Sequence, residues 1–176
     1  KGAVSVYSEP GKGTIFKLYF PVLKQEAMEK QLPEVNRDQE EKSLNKWKAS
    51  GMALIADDEE AVRVFTREVL QRHGLTVVTA DDGKEAIELY DKHKAEICVA
   101  LVDLMMPFVN GQEVLEYIRN DNPQVPIIIS SGYSEAEILD RFRENPPTNF
   151  IQKPYRALEL TRILKMVLEG ATPTKA

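Results

Sequence analysis

The stretch Ile97-Cys98-Val99-Ala100-Leu101-Val102-Asp103-Leu104-Met105-Met106-Pro107 holds six apolar residues in a row, stops at an acid and then turns at a proline. A short unbroken run rich in branched aliphatics reads as a strand covered on both faces, as in a parallel sheet. Three other runs end in the same way. Leu54-Ile55-Ala56 runs into Asp57-Asp58, Val125-Pro126-Ile127-Ile128-Ile129 into Ser130-Ser131-Gly132, and Asn149-Phe150-Ile151-Gln152 into Lys153-Pro154. In such sheets ligands sit beyond the carboxyl ends of the strands. Four strands therefore deliver Asp57 and Asp58, Asp103, Ser130 and Lys153 to one edge.

Outward from these runs, the chain from Met52 alternates strand and helix patterns five times. Strands are expected near 52–56, 76–79, 97–102, 126–130 and 148–151. Helices are expected near 59–72, 83–93, 111–120, 134–143 and 156–169. In the first helix Ala61, Val62, Phe65, Val69 and Leu70 keep helical spacing, and Gly74 stops it. Right-handed crossovers turn this pattern into an α/β fold, a flavodoxin-like (βα)5 doubly wound parallel sheet in the order 2-1-3-4-5. The front of the chain differs. Ala3 to Ser8 and Thr14 to Phe20 alternate on either side of Glu9-Pro10-Gly11-Lys12-Gly13, the pattern of a β-hairpin. The expected organisation is a hairpin over 1–22, a charged linker over 23–50, a βα domain over 51–171 and a tail over 172–176. Within the linker Lys24 to Lys30 can form a short helix that Pro33 ends, and Trp47, the sole tryptophan, is a candidate for docking on a neighbouring domain.

Composition narrows the function. A net charge of −5 over 176 residues with no long basic run argues against nucleic acid as the main partner. No apolar stretch approaches the ~20 residues that span a bilayer, and no secretory h-region opens the chain. Cys98 is the single cysteine, so no internal disulfide is expected and a reducing, cytoplasmic setting fits. The opening Lys1 in place of a methionine suggests a fragment.

Taken singly, these residues have ordinary roles. Asp57 or Asp58 is a natural N-cap for the first helix, Lys153-Pro154 a turn, Ser130 and Ser131 strand-end polar groups. His73 closes a helix and His93 sits in a charged stretch, which places both at the surface. Cys98 reads as a small buried hydrophobe. Taken together they make a site.

Residues 52–170 resemble the receiver domain of two-component response regulators. The matching segments are Leu54-Ile-Ala-Asp-Asp-Glu-Glu, Leu101-Val-Asp-Leu-Met-Met-Pro, Asn110-Gly111, Ile129-Ser-Ser-Gly-Tyr and Gln152-Lys-Pro-Tyr155. The chemistry of the residues agrees with that resemblance. A carboxylate accepts a phosphoryl group as an acyl phosphate, and Asp103 is the candidate acceptor. Asp58 and Asp103 can share one Mg2+, relieving the repulsion among clustered carboxylates. Lys153 supplies a fixed positive charge, and Ser130 a hydroxyl for a phosphoryl oxygen. The resemblance itself implies Asp57 as a water-mediated metal contributor, the main-chain carbonyl of Met105 as a further ligand, and a cis Lys153-Pro154 bond. It also implies a switch in which the phosphoryl group draws Ser130 inward and Phe150 rotates, altering a face made by helix 4, strand 5 and helix 5.

Gly2 through Pro21 resembles the end of a histidine-kinase ATPase domain, in which Thr14 would lie by the adenine pocket of an intact parent kinase. No Asn-box helix, Asp-x-Gly-x-Gly motif or phosphoaccepting histidine helix accompanies it. The resemblance therefore implies a piece of a hybrid histidine kinase, itself membrane-anchored through a sensor region not in this sequence, and no kinase activity in these residues. Its partners would be a phosphohistidine-bearing kinase helix or a histidine phosphotransfer protein, since no DNA-binding segment is expected after the last helix. Three alternatives are weaker. A haloacid-dehalogenase-like phosphatase needs a second acid where Met105 stands, a flavodoxin needs a phosphate loop after the first strand, and a non-phosphorylated pseudo-receiver acting as an interaction module would not need a complete acidic site.

Overall fold

The computed structural model describes residues 3–11, 13–19, 37–134, 137–138, 141–143 and 145–170. Contacts divide the chain into two compact units, Lys1–Asp38 and Gln39–Ala176. In the first, β1 (Ala3–Glu9) and β2 (Gly13–Tyr19) form an antiparallel hairpin, with Val4 opposite Leu18, Val6 opposite Phe16 and Ser8 opposite Thr14. Alternation therefore gathers Val4, Val6, Phe16 and Leu18 on one face of the ribbon, and all four are exposed. The short helix expected at Lys24 to Lys30 lies outside the described residues.

The second unit opens within α1 (Arg37–Lys46), inside the stretch expected to be linker. Its Leu44 is buried. Beyond it the Trp47 indole N–H donates to Glu169 Oε1 at 3.1 Å, and its ring lies 5.4 Å from that of His73. The tryptophan thus docks on the βα unit itself. His73, expected at the surface, is buried at 3% exposure. The reason is that both ring nitrogens have partners, Nδ1 with the Trp47 carbonyl oxygen at 2.9 Å and Nε2 with Thr161 Oγ1 at 3.0 Å, which removes the cost of burying them. His93 is half-buried, its Nδ1 3.6 Å from Glu96. Cys98 is half-buried too, because its side chain faces the Ser50–Gly51 turn at the end of the sheet, with Sγ 3.8 Å from the Ser50 carbonyl oxygen.

Five parallel strands follow, β3 (Met52–Ala56), β4 (Thr76–Ala80), β5 (Ile97–Asp103), β6 (Ile127–Ser131) and β7 (Asn149–Gln152), ordered β4-β3-β5-β6-β7. This is the expected 2-1-3-4-5 order. The unbroken apolar runs are explained by two cores, one on each face. Leu54, Ala56, Ala100, Val102, Ile127 and Ile129 pack on one side against α3 (Gly83–His93) and α4 (Gly111–Asp121). Ala53, Ile55, Val99, Leu101, Ile128 and Ile151 pack on the other against α2 (Glu60–Arg72) and α5 (Ala157–Leu168). Residues 135, 136, 139 and 140 of the helix expected over 134–143 lie outside the described residues. Ile138 and Phe142 from that stretch are buried in the first core. No helix among the described residues is long and apolar enough to cross a membrane.

Two local features aim the sheet edge. Asn110 caps α4 by accepting from the Gln112 and Glu113 amides, while Glu113 reaches back to the Asn110 amide, so the loop from Leu104 to Val109 is tied at its far end. At Gly111 a Cβ would sit 2.2 Å from the Asp103 carbonyl oxygen and 2.9 Å from Leu104 Cα. Only glycine lets α4 start against the end of β5. Gly111→Ala is expected to destabilise the unit by at least about 2 kcal/mol, measured as a fall in the urea midpoint at unchanged slope.

Candidate functional site

The site forms where β3, β5, β6 and β7 end. Parallel pairing sets Asp103 opposite Ser130, and the Leu104 amide donates to the Ser130 carbonyl oxygen at 2.9 Å. The acceptor candidate and the hydroxyl candidate are therefore held on adjacent, hydrogen-bonded backbones. One strand further, the Lys153 amide donates to the Ser131 carbonyl oxygen at 2.8 Å, which fixes the stem of the lysine. The Lys153-Pro154 bond is cis.

The Lys153 ammonium lies 2.8 Å from Asp57 Oδ2, 2.9 Å from Asp103 Oδ2 and 3.3 Å from Glu59 Oε1. Asp57 and Asp103 are buried, at 2% and 5% exposure, while Asp58 is exposed. Burial pushes the Asp57 carboxyl above its ordinary value, against the pull of Lys153 and of the Glu59 amide. Burial also opposes the charge on Lys153, but the Asp57 and Asp103 carboxylates outweigh it and hold the ammonium above its usual value. Each charge is tolerated because the other is present.

Neither Asp57 nor Asp58 caps the first helix, as one reading expected. Glu59 is the capping residue of α2 and makes no side-chain cap bond. Asp57 is drawn instead toward Lys153, its other oxygen accepting from the Glu59 amide at 3.0 Å. Ser130 is buried, and its Oγ has no hydrogen bond. Met105 donates its amide to Asp103 Oδ1 at 3.3 Å while its side chain is exposed. Phe150 is half-buried on β7, opposite Ile129, and packs against the first core. Thr14 stands in the first unit, 2.9 Å from the Ser8 hydroxyl.

Asp57, Asp58 and Asp103 each offer a carboxylate oxygen within 4.8 Å of the others. Such an all-oxygen donor set suits a hard divalent cation, Mg2+ foremost, and does not suit a thiophilic metal. Sequence reasoning missed three neighbours. Glu59 reaches Lys153, Tyr155 places its hydroxyl 3.1 Å from Thr66 Oγ1, and Arg63 donates to the Asp57 carbonyl oxygen at 2.7 Å. Only Glu59 carried a signal, as an acid adjoining the Asp pair.

The family described as response regulator receiver domain matches residues 53–165. Sensor kinase CckA of Brucella abortus is 31% identical over 172 residues, covering 96% of this chain and 18% of the kinase. Autoinducer 1 sensor kinase/phosphatase LuxN of Vibrio campbellii is 30% identical over 186 residues, covering 99% of this chain and 22% of that protein. The chain thus spans about a fifth of the length of these relatives. Among solved structures, the chemotaxis protein CheY4 of Vibrio cholerae is similar at 27% identity and a TM-score of 0.63, over 68% of this chain and 100% of that one.

A carboxyl whose folded pKa lies above its unfolded value contributes stability at low pH that is lost as pH rises through the folded value. Asp57 is in that condition, and Lys153→Met removes the charge that restrains it. The deficit in stability of this variant is expected to grow as pH rises from about 4 toward neutrality. Urea titrations over that range check the sign, and millimolar Mg2+ is expected to narrow the deficit.

Proposed function

We propose, from the premise that this chain belongs to the response regulator receiver family, that Asp103 accepts a phosphoryl group from a phosphohistidine in a phosphorelay. The observation that carries this reading is the Lys153 ammonium set 2.9 Å from Asp103 and 2.8 Å from Asp57, beside the unbonded hydroxyl of Ser130. A carboxylate oxygen of Asp103 attacks phosphorus, the bond from phosphorus to the imidazole nitrogen breaks with its electron pair staying on nitrogen, and an acyl phosphate results. Lys153 turns from carboxylate to phosphoryl oxygen, offsetting the charge that arrives, and Ser130 donates to a second oxygen. Asp58, Asp103, the Met105 carbonyl and, through water, Asp57 would hold Mg2+, which would supply neutralising charge for the carboxylates and the phosphoryl oxygens.

The hybrid-kinase origin rests on similarity to CckA and LuxN along nearly the whole chain, hairpin included. On this reading residues 1–22 end a kinase ATPase domain in which Thr14 borders the nucleotide, 23–50 link it onward, 51–171 form the receiver and 172–176 a tail. The whole protein would be a hybrid histidine kinase working on the cytoplasmic side, and the phosphohistidine donor or recipient its own kinase helix or a histidine phosphotransfer protein. Output passes through Phe150 and the face made by stretch 134–143, β7 and α5.

Incubation with acetyl phosphate and Mg2+ is expected to add one phosphoryl group, detected by intact mass and released by hydroxylamine. Asp103→Asn is expected to abolish the product, and Asp58→Ala or EDTA to reduce it at least about a hundredfold. An unmodified but folded chain would leave only the interaction-module reading. Phe150→Ala is expected to keep acyl phosphate formation and to lose at least about fivefold in phosphorylation-dependent binding of the histidine partner, read by titration with beryllofluoride. Unchanged dependence would remove Phe150 from the switch.

A further inference from the structure

A lysine ammonium carries three N–H donors, and Lys153 meets three carboxylates. Asp57 Oδ2 lies at 2.8 Å, Asp103 Oδ2 at 2.9 Å and Glu59 Oε1 at 3.3 Å. The three are not equivalent. The Asp57 and Asp103 side chains are buried, whereas that of Glu59 is 64% exposed and its contact is the longest. Burial opposes the charge on Lys153, and Asp57 and Asp103 are the carboxylates that hold it above its usual value. An exposed ion pair such as that with Glu59 is weak, because water surrounds both charges. Position 59 also departs from local preference. It is the N-cap of α2, a place that favours Ser, Thr, Asp or Asn, whose short side chains reach the first-turn amides. Glu59 makes no such bond. Its backbone is nevertheless fixed. The amide donates to Asp57 Oδ1 at 3.0 Å, and the carbonyl oxygen accepts from the Val62 and Arg63 amides at 3.1 and 3.0 Å. A rigid stem thus carries an exposed carboxylate whose only recorded side-chain partner is Lys153. A residue that breaks a local rule at the edge of a site is expected to serve the site.

We propose that Glu59 is a releasable placeholder for Lys153, its carboxylate holding one N–H of the ammonium in the resting site and giving it up to the incoming phosphoryl oxygen. The proposal rests on the phosphoacceptor reading above, since the phosphoryl group is what displaces Glu59. The exchange is one hydrogen bond for another. The N–H that points to Glu59 Oε1 turns to a phosphoryl oxygen, its proton stays on nitrogen, and Asp57 keeps its contact. Of the three carboxylates Glu59 is the one whose release costs least. Freeing Asp57 would strand a buried charge, whereas a freed Glu59 is met by water. Glu59 is therefore a positioning residue that acts on the reaction through Lys153. Its carboxylate competes with every anionic phosphodonor for the same ammonium, and so raises the donor concentration that the site requires.

The test uses the full chain with Mg2+ and takes two readings. One is the rate of acyl phosphate formation at acetyl phosphate concentrations well below saturation, and the other is the beryllofluoride concentration at half-saturation. Glu59→Gln is expected to raise the rate about threefold and to lower the half-saturating beryllofluoride concentration about threefold. Glu59→Asp keeps the charge but shortens the side chain by a methylene, which takes the carboxylate out of reach of Lys153, so it is expected to match Glu59→Gln. Glu60→Gln removes the same charge from the next residue, also exposed, and is expected to leave both readings within about 1.5-fold of the unaltered chain. A general repulsion of anions by the acidic rim would leave Glu59→Asp like the unaltered chain and give Glu60→Gln the effect of Glu59→Gln. Either result would overturn the placeholder, as would readings for Glu59→Gln that stay within about 1.5-fold of the unaltered chain or move the opposite way. All of these leave the phosphoacceptor reading intact. Failure of the unaltered chain to form acyl phosphate would overturn that reading and the placeholder with it.

Discussion

One ammonium against a group of carboxylates governs the active edge of this sheet. Asp57 and Asp103 are both buried and both within 3 Å of Lys153, and like charges at such spacing in a region of low dielectric repel strongly. A lysine at the end of the outermost strand is the group that lets acids from β3 and β5 coexist there. That arrangement makes the edge demanding to build. It requires β3, β5, β6 and β7 to be parallel and in register, so that residues far apart in the chain end at one level. The two hydrophobic cores on either side of the sheet hold that level, and the tight start of α4 against Asp103 ties down the loop that follows β5.

The elements and their order were legible because each strand announces itself twice, by an apolar run and by the polar residue that ends it. Met52–Ala56 and Gly83–His93 match their expected limits. Ile97–Asp103 runs one residue longer, since pairing with Ser130 carries the strand through the acid. The acidic cluster and its lysine were legible for the same reason. Hidden from the sequence were groups whose roles depend on a distant partner. His73 is polar and closes a helix, which is a surface signature, and nothing local says that Trp47 and Thr161 will bond to both its nitrogens. Tyr155 looks like one more aromatic after a turn until Thr66, far away in the sequence, is seen to meet its hydroxyl. Cys98 lies within an apolar run, yet its place near the strand start leaves it at the margin of the second core, half-covered by a turn.

The stretch before the receiver also changes character in the folded molecule. By composition residues 37–50 are a polar connector. In three dimensions Leu44 is buried, Lys48 donates to the Arg72 carbonyl oxygen at 2.6 Å and Ala49 donates to the His73 carbonyl oxygen at 2.8 Å. Amphipathic content is nearly absent from this segment, so one aromatic and one leucine set its placement. The boundary of the folded unit therefore falls earlier than the apolar pattern alone suggests.

Trp47 has a consequence for anyone handling the protein. It is the sole tryptophan of the chain, and it rests where the ends of α2 and α5 meet, against an imidazole and a carboxylate. Indole emission therefore has a single origin, and an imidazole at ring distance is a neighbour able to quench it. Indole fluorescence reports on the docking of α1 and on the integrity of the βα unit, whereas the hairpin, whose chromophores include Tyr7 and Tyr19, holds no indole. The molecule carries its own optical gauge, wired to one of its two units.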